Sequence, residues 1–241
     1  MKTTLILVGL SIAVAVPPSF GDMIYNVSFE DPPHTLNAPV ATGAGLSDRP
    51  DLTIGSVITR SGLADFSTQV ASLEPAGRLR FFDSTPSSSG LVLLSWDLAM
   101  LSFGSGGGPN TGELSIDAGG GGSGTMIMSW QNDFDIVFAS TVVGTFALNQ
   151  QDHYELLLDL DNDRYDFALN GSPVLTNQTL GVSFNVQNVV FGAENLQDTS
   201  YAVDNFKWDV VPEPSTWLLF STGCLAAVYG RRLLEAKAAG R

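Results

Sequence analysis

The fold is decided by residues 153–171, which read HYELLLDLDNDRYDFALNG. Apolar side chains occupy alternate positions on both sides of the turn at residues 161–163, and this period of two predicts two strands that each bury one face. The buried faces are expected to carry Tyr154, Leu156, Leu158 and Leu160 on the first strand, and Tyr165, Phe167 and Leu169 on the second. Asn170-Gly171 then predicts a type I′ hairpin turn.

The same alternation recurs in short runs from Asp22 to Asp209, separated by clusters of Gly, Pro, Asn and Asp. Further strands are predicted at residues 23–29, 78–82, 90–96, 113–117, 125–130, 136–139, 142–148, 189–192 and 201–209. One short helical stretch is expected within residues 64–73. Residues 22–210 are therefore predicted to form one all-β domain.

Charge and cysteine content exclude several kinds of function. The 241 residues include 11 basic and 25 acidic ones, and residues 22–210 alone carry a net charge of −17 from 6 basic and 23 acidic residues. Such acidity disfavours nucleic acid as a partner, because phosphates would be repelled. The only cysteine is Cys224, so residues 22–210 cannot form disulfides, a cysteine-ligated zinc site or a catalytic thiol.

Residues 1–21 have the composition of an export signal. Lys2 provides a positive start, residues 5–16 form an apolar run, and residues 19–21 place small side chains where signal peptidase cuts. A second cleavage site is available at residues 13–15. The alternative is an uncleaved membrane anchor, although the apolar run is short for a span of about 20 residues.

The opposite end of the chain combines three features in a fixed order. A Pro-Glu-Pro tripeptide is followed by an apolar run over residues 217–229 and then by a basic pair. The apolar run predicts one short transmembrane helix with interfacial aromatic residues at its ends. The arginines that follow it are expected to stay on the cytoplasmic side and to stop transfer of the chain across the membrane. The residues involved are Pro212, Glu213 and Pro214, then Trp217 and Tyr229, then Arg231 and Arg232.

Residues 211–232 closely resemble the PEP-CTERM sorting signal of Gram-negative bacteria. The resemblance implies recognition of Pro212, Glu213 and Pro214 by an exosortase in cells that make exopolysaccharide and biofilm. It also implies export across the inner membrane, transient anchoring in that membrane, and final residence at the cell surface or outside the cell. Residues 233–241 would be a cytoplasmic tail. The alternative for this segment is a plain single-span anchor.

The domain itself resembles the concanavalin-like and laminin-G-like jelly rolls. The matching features are the hairpin that ends in Asn170-Gly171, a strand that ends in Phe191-Gly192, and a closing Tyr-x-x-Asp-Asn-Phe-x-x-Asp strand at residues 201–209. The resemblance implies an antiparallel jelly-roll β-sandwich over residues 22–210, in which the first strand pairs near the last.

No arrangement of residues predicts catalysis. Retaining glycanases with this kind of fold place two carboxylates about 5 Å apart on one strand, within a Glu-x-Asp-x-x-Glu pattern that is missing here. The nearest acidic pairs lie outside any catalytic motif, and so do the histidines. The pairs are Asp133 with Asp135 and Glu194 with Asp198, and the histidines are His34 and His153. The chain is therefore predicted not to be an enzyme.

The acidic turn, defined as residues 159–163, provides the weak candidates for metal ligands Asp159, Asp161 and Asp163. The spacing resembles the opening of a calcium loop, but Arg164 occupies the glycine position of an EF-hand and Asn170 its closing glutamate position. The alternatives are a calcium site, which the laminin-G resemblance admits, and a solvated polar turn.

Aromatic side chains could stack on sugar rings or fill the core, and alternating strands of a sandwich favour the core. The residues concerned are Trp96, Trp130, Trp208 and Phe103.

The sequence as a whole predicts an exported, exosortase-sorted surface or matrix protein that is not catalytic and binds polysaccharide. The alternatives are a glycan-active hydrolase or lyase and a purely structural matrix component.

Overall fold

A computed structural model of the chain describes residues 22–30, 32–43, 46–102, 110–117, 125–131, 133–180, 184–192 and 199–211. Every regular element within these ranges is a strand, which confirms the all-β prediction. The strands are β1 Asp22–Val27, β2 Leu52–Ile54, β3 Val57–Ser61, β4 Gln69–Leu73, β5 Arg78–Ser87, β6 Leu91–Ser102, β7 Asn110–Asp117, β8 Thr125–Gln131, β9 Asp135–Phe138, β10 Thr141–Thr145, β11 Asp152–Asp159, β12 Arg164–Leu169, β13 Ser172–Thr179, β14 Val186–Gly192 and β15 Ser200–Val211.

The described strands form two antiparallel sheets. The larger sheet has eight strands in the order β13-β12-β11-β6-β15-β4-β3, and β1 pairs with β15 as well. The smaller sheet has seven strands in the order β10-β9-β8-β7-β14-β5-β2. Side chains alternate between the two faces of each strand, so each sheet can bury one face against the other. The structure therefore confirms the predicted β-sandwich.

The hairpin that dominates the sequence forms as predicted. β11 pairs with β12 from Tyr154 opposite Leu169 to Asp159 opposite Arg164. Asn170 and Gly171 then turn the chain into β13 with φ values of 52° and 73°. A type I′ turn needs positive φ at both central residues, and asparagine and glycine adopt that conformation at the lowest cost.

Aromatic rings fill the core between the sheets. The ring of Phe81 stacks on that of Phe206 with centroids 4.0 Å apart, and the ring of Tyr25 meets Phe81 edge-on at 5.2 Å. All three side chains are buried. Each buried phenylalanine contributes about 1.5–3 kcal/mol of hydrophobic stabilisation. The first, fifth and last described strands are thereby joined through one packed cluster.

The predicted helical stretch at residues 64–73 is wrong. Residues 69–73 form β4, and residues 70–73 are all buried. The inner face of β4 contributes to the main core, while Val70 packs on its outer face against Phe66 and Ala202. Because the turn that contains Phe66 covers the outer face of the strand, apolar residues occupy both faces and the alternation typical of a strand disappears.

The first strand does pair with the last, as the sequence predicts. β1 lies antiparallel to β15, with Asp22 opposite Val210 and Val27 opposite Phe206. On its other side β15 pairs with β6 as far as Val211 opposite Leu91. The chain therefore enters and leaves the described domain at one end of the larger sheet.

Candidate functional site

Several residues singled out in the sequence lie outside the described residues. They are Pro212, Glu213, Pro214, Trp217, Tyr229, Arg231 and Arg232 of the sorting segment, Glu194 and Asp198 of the second acidic pair, and Phe103. The export signal at residues 1–21 lies outside them as well. In the part of the chain that is described, no helix has the length and apolar character needed to cross a membrane.

The acidic turn uses its carboxylates in hydrogen bonds within the protein. Both carboxylate oxygens of Asp159 accept from Asn162, from the backbone N–H at 3.1 Å and from the side-chain amide at 2.8 Å. Asp161 accepts from the backbone N–H of Gly90 at 2.7 Å. Asp163 occupies the left-handed region with φ 53°. The described residues contain no group of three or more His, Cys, Asp or Glu side chains that could hold a metal ion. A calcium site and a solvated polar turn stay the two alternatives for this segment.

The tryptophans predicted as core residues are buried. Trp96, Trp130 and Trp208 have no exposed surface. The indole N–H of Trp130 donates to the hydroxyl of Tyr154 at 2.9 Å, and the ring of Trp96 stacks on Tyr154 at 5.5 Å. Since a sugar ring must reach the face of an aromatic side chain to stack on it, these three side chains cannot hold a sugar.

His34 and the pair Asp133 and Asp135 do not form a reactive arrangement. His34 is buried beside the ring of Phe29, with centroids 5.1 Å apart, and burial lowers the pKa of its imidazole. Asp133 is exposed on the turn between β8 and β9, where its carboxylate accepts from the backbone N–H of Asp135 at 3.4 Å. Neither aspartate lines the cleft at Leu157 or the cleft at Val190.

The structure brings His153 into a polar cluster that the sequence did not predict. Asp97 on β6 lies opposite both His153 on β11 and Asp204 on β15. One carboxylate oxygen of Asp97 is 2.6 Å from Nδ1 of His153, and the other accepts from the side-chain amide of Asn205 at 2.7 Å. Three neighbouring strands thus place two carboxylates and an imidazole in one row. The sequence signal is an aspartate in the middle of the apolar run of β6.

Asp204 is the most deeply buried carboxylate of this cluster, with 1% of its surface exposed. It accepts from the backbone N–H of Asn205 at 2.8 Å and from the hydroxyl of Thr68 at 2.9 Å. Burial, together with the neighbouring charges of Asp97 and Glu30, raises its pKa to about 6. The cluster is therefore a hydrogen-bonded network in which the buried Asp204 takes up a proton more readily than an exposed aspartate does.

A groove of about 240 Å³ lies beside this cluster on the outer face of the larger sheet. Its lining comes from β6, β11, β12 and β13, and consists of Leu93, Glu155, Leu157, Asp166, Phe167, Ala168, Pro173, Leu175 and Thr176. Leu93 lies opposite Leu157 and Glu155 opposite Ala168, so the floor is a regular sheet surface. The pairing of β12 with β13 is irregular at this point.

The groove combines an apolar floor with two carboxylates. Glu155 has 44% of its side chain exposed, and its Oε1 lies 3.7 Å from Nε2 of His153. Asp166 accepts from the backbone N–H of Asn177 at 2.5 Å. None of the described lining residues is basic. Apolar surface with a few polar groups is the usual composition of a small-ligand site, so we take this groove as the candidate site.

Comparison with protein families identifies a short motif at the C-terminal end of the chain. Residues 210–232 match the PEP-CTERM protein-sorting motif. The chain carries this sorting signal, and the signal implies an exported protein that an exosortase processes, with a destination at the cell surface or in the extracellular space. No curated protein matches the sequence.

Solved structures share the sandwich architecture at low sequence identity. The cellulose induced protein Cip1 is 11% identical with a TM-score of 0.51, over 76% of this chain and 95% of that one. The binding domain of Paraclostridial Mosquitocidal Protein 1 is 9% identical with a TM-score of 0.55, over 83% of this chain and 52% of that one.

A Trypanosoma rangeli sialidase is 12% identical with a TM-score of 0.49, over 80% of this chain and 31% of that one. This chain spans 19% to 34% of the length of the sialidase chains it matches. The two likenesses with a TM-score above 0.5, to Cip1 and to the mosquitocidal binding domain, show the fold alone.

Proposed function

We propose that residues 22–210 form a non-catalytic polysaccharide-binding module of a surface or matrix protein. In this proposal a Gram-negative bacterium exports the chain across its inner membrane after signal peptidase removes residues 1–21. An exosortase then processes the segment that follows Val211. The PEP-CTERM motif supports the sorting part of the proposal, because that motif implies exosortase processing.

The groove is the observation that carries the binding part of the proposal. Its floor of Leu93, Leu157 and Ala168 offers half-buried apolar surface to the C–H face of a sugar ring. Glu155 and Asp166 stand at its sides, where carboxylates can accept hydrogen bonds from sugar hydroxyls.

A glycan-active hydrolase or lyase is the second candidate, because Asp204 combines a raised pKa with a nearby carboxylate and imidazole. A general acid must come within hydrogen-bond distance of the substrate atom that it protonates. Asp204 is almost completely buried, and its hydrogen bonds to Thr68 and Asn205 occupy its carboxylate. This arrangement supports a structural role for Asp204 and Asp97 and favours the non-catalytic proposal.

A glycan array tests the binding proposal, run with the purified protein in the presence and absence of calcium. We expect at least one polysaccharide to bind the unaltered protein. Ala168→Phe should abolish that binding, because a phenyl ring at this outward position of β12 fills the groove. Val142→Phe is the matched control, since Val142 is 57% exposed on β10 of the other sheet.

If no glycan binds, or if Ala168→Phe binds as well as Val142→Phe, the groove is not a polysaccharide site. A protein that binds no glycan would fit the third possibility, a purely structural matrix component. Circular dichroism of both variants verifies that the added ring leaves the β-sheet fold intact.

A further inference from the structure

The charged side chains that line the groove are acidic, while Arg164, two positions before Asp166 on β12, bonds to the side-chain oxygen of Asn177. The two charged lining residues are Glu155 and Asp166, and no ion pair in the described part of the chain joins either of them to a lysine or arginine. The surrounding domain, residues 22–210, carries a net charge of −17. A cleft lined by charges of one sign concentrates the electric field and attracts ligands of the opposite sign.

The carboxylate of Glu155 lies beside His153 at the edge of the floor. Its neighbour His153 is oriented by Asp97, whose Oδ1 lies 2.6 Å from Nδ1 of the imidazole. Glu155 itself lies opposite Ala168, the smallest side chain of the floor. The space above Ala168 is therefore open beside an exposed carboxylate.

Asp166 is held on the other side of the floor, two positions before Ala168 on β12. Its Oδ1 accepts from the backbone N–H of Asn177, which has a φ of 55°. Leu157, the cross-strand partner of Asp166, contributes apolar surface between the two carboxylates. The groove thus presents two carboxylates around apolar surface.

We propose that this groove binds the amino-sugar units of a polysaccharide, with the protonated amino group facing Glu155 and Asp166. The proposal rests on the polysaccharide-binding function above and specifies its ligand class. The apolar floor contacts the C–H face of the ring, and the carboxylates select a cationic sugar over a neutral or anionic one. A uronic acid would place a third negative charge beside Glu155 and Asp166, at a Coulombic cost.

The test compares two oligosaccharides of the same length by titration calorimetry with the full-length chain in mild detergent. One probe is a glucosamine tetramer with free amino groups, and the other is the same tetramer with every amino group acetylated. We expect the cationic tetramer to bind at least about fivefold more tightly, and the difference to shrink as salt is added, because salt screens exposed charges.

Variants separate binding in the groove from general attraction to an acidic protein. Glu155→Gln and Asp166→Asn should each weaken binding of the cationic tetramer by about threefold to tenfold, while the acetylated tetramer is unaffected. Asp133→Asn removes the same charge from an exposed turn of the other sheet and should change neither affinity. Two variants keep the test valid if one of them fails to fold.

Two results overturn the inference. The acetylated tetramer could bind as tightly as the cationic one, or Asp133→Asn could weaken binding as much as both groove variants do. If some other glycan still binds and Ala168→Phe abolishes that binding, only the ligand class is wrong. If no glycan binds the protein at all, the proposed function fails together with this inference.

Discussion

Replacing Asp204 by asparagine should stabilise the domain at neutral pH. The carboxylate is 1% exposed, and the negative charges of Asp97 and Glu30 add to the effect of burial on its pKa. The asparagine side chain has nearly the same shape as the aspartate side chain that it replaces. Its carbonyl can accept from the N–H of Asn205, and its amide can donate to the hydroxyl of Thr68. The substitution therefore removes a buried charge without removing a hydrogen-bonding group.

The size of the effect follows from the pKa. Burial raises the pKa of Asp204 to about 6, whereas an unfolded aspartate has a pKa of about 3.9. Between these values the folded state binds more protons than the unfolded state, so wild-type stability falls as pH rises through this window. The loss is complete above pH 6 and amounts to about 1–3 kcal/mol. Asparagine does not titrate and avoids this loss.

Urea denaturation at a series of pH values measures the difference. Asp204→Asn should be more stable than the wild-type protein above pH 6 by about 1–3 kcal/mol, with no advantage near pH 4. The control Asp133→Asn, at an exposed position, should follow the wild-type curve. A variant that is less stable than wild type at neutral pH would refute the reasoning, because the charge of Asp204 would then be compensated in the folded protein.

Three other predictions concern packing, backbone conformation and cations. Trp130→Phe should lower the unfolding free energy by about 1–3 kcal/mol, because the hydroxyl of Tyr154 loses the buried indole N–H that donates to it. Chemical denaturation measures this loss, and an unchanged denaturation midpoint would contradict the prediction. Gly55→Ala should lower the melting temperature, because φ of Gly55 is 71° and an added Cβ would lie 2.6 Å from the carbonyl oxygen of Ala76. A melting temperature equal to that of the wild-type protein would contradict this prediction. Millimolar calcium should raise the melting temperature no more than sodium of matched ionic strength does, because the acidic turn already uses its carboxylates in internal hydrogen bonds. A larger rise in melting temperature with calcium would indicate a cation site.

Local alternation predicts most of the sandwich, and it fails where burial is not one-sided. β11 and β12 alternate cleanly because one face meets the core and the other meets solvent or the groove. β2 and β3 are missing from the prediction, and β13 follows only from the hairpin turn at Asn170-Gly171, since nearly all of its residues are exposed and no face is distinctly apolar. β4 was mistaken for a helix because Phe66 covers its outer face and makes both faces apolar.

The polar cluster and the groove depend on contacts between residues that are distant in sequence. Asp97 contacts His153 and Asn205, which lie 56 and 108 positions further along the chain. Composition and spacing cannot reveal such a contact, because it depends on strand order and register. The burial of the tryptophans was predictable from their alternating positions, whereas a binding surface made of Leu157 and Ala168 between two carboxylates was not.

Intact-mass analysis of the mature protein from its producing cells tests the central claim most directly. If an exosortase sorts this chain, the mass should correspond to a protein that ends at or just after Pro212-Glu213-Pro214, without residues 217–241. A mature protein that still carries residues 217–241 would contradict exosortase processing and would indicate a plain membrane anchor.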